Sequence, residues 1–219
     1  SLAREFEFDI SFNWDWLEYF KLCPQLPLAG FIYYASVWMT LMFYWWGPEG
    51  YLIQTEILYA FPTIDLASFY AQMTIIPTIT AFYVHCETSF YEDYRGFYNA
   101  ILTKKPLEFI QDSRRRLKTR LRDSLFGLFL IQVAVTLGAL TFAPQLQILL
   151  QWNDGERYMF RNVCLGAVPQ VMLLFCQVIL FYFQLYKEAL WSSVVTFIGC
   201  LVGAFITLRF GQDYYGLGL

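Results

Sequence analysis

Polar and apolar residues along this chain are segregated into long blocks. Residues 26–46 are 21 consecutive positions without a charge, about 31 Å of helix at about 1.5 Å per residue. That length matches a hydrocarbon core of about 30 Å. Tyr44, Trp45 and Trp46 close this first predicted span as an aromatic anchor, and Gly47-Pro48 ends it. Four further apolar stretches follow, near 67–86, 125–143, 163–186 and 189–208. The pattern predicts an all-α polytopic membrane protein with about five transmembrane helices. Residues 1–25 are an interfacial or cytoplasmic lead-in, and 26–219 the transmembrane bundle.

The spans differ in their polar content. The second carries Pro77 near its middle, where a membrane helix tolerates proline as a kink. Ala67, Ala71, Thr74, Thr78, Ala81 and His85 fall on one face of it, a stripe narrow enough for close packing. The third has Gln132 as its one strongly polar residue, and Pro144 is expected to end it. A loop over 147–161 then carries Asp154, Glu156, Arg157 and Arg161. In the fourth span Gln170, Gln177 and Gln184 recur every seven residues, which places three amides in one narrow stripe. Facing lipid they would be costly, so the stripe should face protein or a watery cavity. Gly199 and Gly203 give the fifth span a GxxxG step.

Ahead of the first span, residues 6–16 alternate strictly between apolar and polar. Period two argues for an extended interfacial segment or a pairing strand. Asn13 or Asp15 could cap a short helix through Phe20, with Glu18 completing a capping box after Asp15. Residues 51–61 are apolar enough to lie at a membrane surface or dip inward.

Charge changes the picture at one place. Nine of the fifteen Lys and Arg residues lie between Arg95 and Arg122. Lys and Arg resist translocation, so the loop 87–124 is expected on the cytoplasmic side. Alternating topology then puts twelve basic residues inside and Arg157, Arg161 and Arg209 outside. Pro106 suits the first turn of a helix, and Leu107, Ile110, Leu117 and Leu121 approximate an apolar stripe. A cytoplasmic amphipathic helix running into the third span is predicted. The whole chain is 58% hydrophobic and 15% charged, against about 45–50% and about 25% in soluble domains. The net charge of −3 is not that of a nucleic-acid binder. Five scattered cysteines without a CxxC pair read as small buried hydrophobes.

Several groups are candidates for function. Gln170, Gln177 and Gln184 could offer a sugar chain amide donors and acceptors, or bond helix to helix. Glu87, Glu92, Asp93 and Arg95 could gate a path, dock a cytosolic partner, or form a solvated loop with weak local pairs. His85 is a candidate for proton coupling or a simple hydrogen-bond partner. The Arg114–Arg115–Arg116 run suits an anionic lipid or acidic partner, and orientation alone explains it equally well.

Four blocks resemble one family: HCETSFYEDYRGFYNAIL at 85–102, FRNVCLGAVPQVMLL at 160–174, YFQLYKEAL at 182–190 and DYYGLGL at 213–219. They look like the C-terminal half of the PelG family of Pel exopolysaccharide exporters. That family is similar in turn to the flippases of the MOP superfamily, which includes multidrug and toxin extrusion proteins. The resemblance implies roughly twelve helices in two bundles, of which these five would be the seventh to eleventh. An N-terminal half of the same protein and a final helix would complete them. It also implies the inner membrane, a Pel-type polysaccharide cargo, surrounding membrane lipid, and a synthase complex with the cytosolic glycosyltransferase PelF and the membrane proteins PelD and PelE. No cofactor is implied.

Three functions are in play. One is a transporter subunit exporting polysaccharide for a biofilm matrix. Another is a scaffold recruiting a cytosolic glycosyltransferase through the basic loop. The third, an integral membrane transferase, lacks sequence support: there is one His, no DxD pair, no metal-spaced His/Cys cluster and no nucleophile motif. Catalytic and metal-ligating residues are therefore not assigned.

Overall fold

The computed structural model describes residues 16–48, 50–52, 59–85, 88, 90–211 and 214–217. The alternating stretch ahead of Trp16, its proposed cap Asp15, and Glu87 lie outside them. The described chain is helical apart from an antiparallel two-residue ladder, β1 (Tyr51–Leu52) with β2 (Tyr59–Ala60). A short helix α1 (Trp16–Leu22) leads into α2 (Gln25–Trp45).

The second apolar stretch is carried by two helices, α3 (Pro62–Met73) and α4 (Ile76–His85). The chain turns tightly at Thr74–Ile75, where Thr74 and Ile75 N–H groups reach back three residues to Ala71 and Gln72. Pro77 is therefore not a kink inside a continuous helix. It occupies the first turn of α4, where a missing N–H costs little.

Helix α5 (Tyr91–Leu102) and the first turns of α6 (Leu107–Leu150) make a helical hairpin out of the basic segment. The predicted amphipathic helix and the third span are one helix. Its 44 residues extend about 66 Å, twice a hydrocarbon core. Pro144 does not end it, contrary to expectation: the helix runs on to Leu150. In an apolar setting no competing solvent rewards unwinding, and a membrane helix tolerates an internal proline. Helix α7 (Asp154–Tyr182) likewise starts earlier than its apolar residues suggest. The Asn153 side chain accepts from the Glu156 N–H and the Glu156 carboxylate accepts from the Asn153 N–H, both at 2.8 Å. This capping box draws most of the predicted loop 147–161 into helix. Helix α8 (Tyr186–Phe210) completes the set.

Four helices, α2, α6, α7 and α8, are each long and apolar enough to cross a membrane. Helix α7 is the hub, packing against α3, α6 and α8, while α2 runs along α8. Small residues permit that closeness: Ala29, Ser36 and Thr40 of α2, and Ala189, Ser193 and Ala204 of α8, are all buried. Their hydroxyls bond back onto their own helices, Ser36 to Tyr33 O at 2.6 Å and Thr40 to Ser36 O at 2.7 Å, so burial strands no donor. The GxxxG step is not part of this seam, for Gly199 is exposed and a side chain there would meet nothing within 4 Å.

Two core clusters stabilise opposite ends. At the end away from the basic hairpin, Tyr44, Phe61, Phe160, Trp152 and Tyr215 pack together. Residues 214–217 return over this end: the Gly216 N–H donates to Tyr44 Oη at 3.2 Å, and Asn162 Nδ2 donates to Tyr215 O at 3.0 Å. Gly216 has φ +92°, and a Cβ there would stand 2.6 Å from Val163 Cγ2, so only glycine fits. At the basic end Phe82 stacks on Phe175 at 4.3 Å, and Phe90 is buried beside them.

Candidate functional site

Between the two clusters, at the waist of the bundle, α2, α3–α4 and α7 leave a groove of about 540 Å³. Its depth follows from the elements that build it. Gln72 precedes the break that divides the second stretch into 12- and 10-residue helices. Gln170 lies near the midpoint of the 29-residue α7, about 24 Å from its start. Tyr33 lies near the midpoint of α2. These residues meet: Gln72 Nε2 donates to Gln170 Oε1 at 3.1 Å, and Tyr33 Oη donates to the Gln170 carbonyl at 3.0 Å. Towards one mouth of the groove Trp45 Nε1 donates to Asp65 Oδ1 at 2.7 Å. The Ser68 hydroxyl, in the groove wall, is buried without a partner among the described residues.

The rest of the lining is aromatic and aliphatic. Tyr34 and Trp38 are 62% and 56% exposed, so these side chains border open space rather than core. A groove of ring faces with a few amides and one carboxylate can hold a ligand that is apolar on its faces and hydroxylated at its edges. An amide–amide bond inside a membrane protein contributes only about 0.6 kcal/mol on average. The Gln72–Gln170 pair can therefore open and exchange its donors and acceptors with a ligand at little cost.

The structure separates the three glutamines. Gln170 lines the groove. Gln177 does not: it is buried, and its Nε2 donates to Ser193 Oγ at 2.6 Å, joining α7 to α8. Gln184 is not on the helix. Helix α7 ends at Tyr182, and Gln184 takes φ +56° in the turn before α8, exposed. The stripe of three is a stripe of two, and the two amides have different partners. Sequence reasoning missed Gln72, Tyr33 and Asp65. Gln72 was detectable as an uncharged amide inside an apolar run, but nothing local says that it faces Gln170.

A second depression, of about 760 Å³, lies at the basic end between α4, α5 and α6. Asp93 lines it and pairs with Arg120 Nε at 3.1 Å. Glu92 and Arg95 are exposed and form no ion pair among the described residues. Pairs as exposed as Asp93–Arg120 are worth under about 1 kcal/mol. His85 bonds through Nε2 to Ser124 Oγ, and Ser124 in turn donates to Arg120 O at 2.6 Å. The serine's one proton is thus used, which makes His85 Nε2 the donor.

A set of membrane-length helices, packed through small residues with hydroxyls bonded to backbone, defines a polytopic α-helical membrane protein. The chain belongs to the PelG family: the family model described as "PelG: Putative exopolysaccharide Exporter (EPS-E)" matches residues 1–219. No curated protein and no solved structure matches it. The family is one named for export, not for catalysis.

Proposed function

We propose that this chain forms one bundle of an inner-membrane exopolysaccharide exporter of the MOP type, and that the waist groove is its share of the polymer path. The observation that carries this reading is the Gln72–Gln170–Tyr33 cluster, set in an aromatic groove at the break of a discontinuous helix. Broken helices in transporters mark binding sites near the bilayer midplane, because unwound backbone is tolerated there only beside a cavity. Sugar rings present C–H faces to Tyr34 and Trp38, and their hydroxyls exchange with the amides. With no charged residue lining the groove's centre, a long polymer can slide without a deep trap. The basic hairpin is placed in the cytoplasm, since its Lys and Arg oppose translocation.

The test uses the full-length protein in cells that make the polymer. Gln72→Leu combined with Gln170→Leu should lower secreted polymer by about tenfold, the equivalent of one or two lost hydrogen bonds, with the membrane level of the protein unchanged. Wild-type secretion from the double variant would remove the groove from the path.

A second reading is supported by the α5–α6 hairpin. Helix α6 exceeds a bilayer span by about 36 Å, and the hairpin leaves Glu92 and Arg95 of α5 and Arg114 of α6 exposed to solvent. Such an arm suits docking of a cytosolic glycosyltransferase such as PelF, alongside PelD and PelE. Both readings hold together if polymer passes directly from synthase to groove.

A further inference from the structure

We infer that the cleft at the basic end is a binding site for one anionic phospholipid, its phosphate among Arg115, Arg116 and Arg120 and an acyl chain lying along α6. The cleft is divided in polarity along the axis of that helix. Arg115, Arg116, Thr119, Arg120 and Ser124 line one half, and Gly127, Leu128 and Ile131 the other. The change falls where α6 passes from its charged turns into residues 125–143, which carry no charge. From Arg116 to Ile131 the lining extends about 22 Å. That suits an amphiphile, whereas a water-soluble anion would occupy the charged half alone.

Charge complementarity favours the phosphate. Three guanidinium groups share the cleft with two carboxylates, Asp93 and Asp123, and Asp123 is paired with Arg122 at 3.0 Å. Arg115 has no ion pair among the described residues. Arg116 is held by Asp112 at 2.6 Å and Arg120 by Asp93 at 3.1 Å, both at exposed positions. A phosphate offers such guanidinium groups two-point, charge-assisted hydrogen bonds, which are stronger than solvated surface pairs. The wall behind them is fixed, because Ser124 is tied to both His85 and Arg120 O. The apolar half is open beside Gly127, where an added Cβ would meet nothing within 4 Å, so only a bulky side chain there would fill it.

Delipidated full-length protein, titrated with phosphatidylglycerol or with phosphatidylcholine of identical chains and read by native mass spectrometry, tests this. Phosphatidylglycerol should be retained over phosphatidylcholine. Arg115→Ala with Arg116→Ala should weaken its retention about thirtyfold, as expected for two guanidinium groups at a membrane surface. Gly127→Leu, which adds bulk only to the apolar half, should also abolish retention while leaving the melting temperature unchanged. Equal retention of the two lipids would overturn the inference. So would unaltered phosphatidylglycerol binding by the Gly127→Leu variant, or displacement of the lipid by millimolar inorganic phosphate, which would mark a site for soluble anions.

Discussion

Gln170, Gln177 and Gln184 show what a residue pattern can and cannot carry. Their seven-residue spacing was legible as a shared stripe, and the first two do face protein. Their partners were not legible, because these sit on α3 and α8, remote in sequence. Gln184 left the stripe because the turn to α8 needs one residue at positive φ, a demand usually announced by Gly or Asn. With neither present, the sequence carried no sign of the helix end. For Gln177 the structure implies a structural role. Gln177→Ala should remove the bond to Ser193 and leave a small cavity, lowering stability by roughly 1–2 kcal/mol. Thermal melting in detergent would read this directly, and secreted polymer should fall only in proportion to the protein lost. A stable protein with defective export would instead place Gln177 on the path.

At the scale of elements, apolar run length located every long helix, because hydrocarbon thickness sets how much chain must be uncharged. Helix ends were less legible, for different reasons. Pro144 reads as a stop only if water is available to solvate the freed carbonyl, and α6 passes through it. The start of α7 depends on a capping box inside a charged segment that hydropathy discounts. The division of the second stretch at Thr74–Ile75 was visible only as Pro77, two residues late. The small-residue stripe was informative here, since Ala67, Ala71 and Thr78 are all fully buried. If the break is what opens the groove beside Gln72, then Pro77→Ala should favour a continuous helix by restoring an N–H donor. Stability should stay within about 1 kcal/mol of the parent, while secreted polymer drops. Normal secretion would show that the break is a packing feature only.

Across the whole molecule, two aromatic cores clamp the ends of the bundle, and the less tightly filled waist lies between them. The segregation of charge to one end was plain in the sequence. So was the family resemblance, carried by motifs at 85–102, in α7 and at 213–219. The groove was not, because it is a relation among three elements rather than a property of any one. The proposal that rests on it is that the rings of Tyr34 and Trp38 border a watery path, not lipid. The most direct test is cysteine labelling in a cysteine-free background of the full-length protein, with Trp38→Cys in native membranes. A membrane-impermeant, water-soluble maleimide should label this position, and polymer synthesis should protect it. A position unreactive to that reagent but reactive to a lipid-soluble one would put Trp38 against lipid and contradict the path.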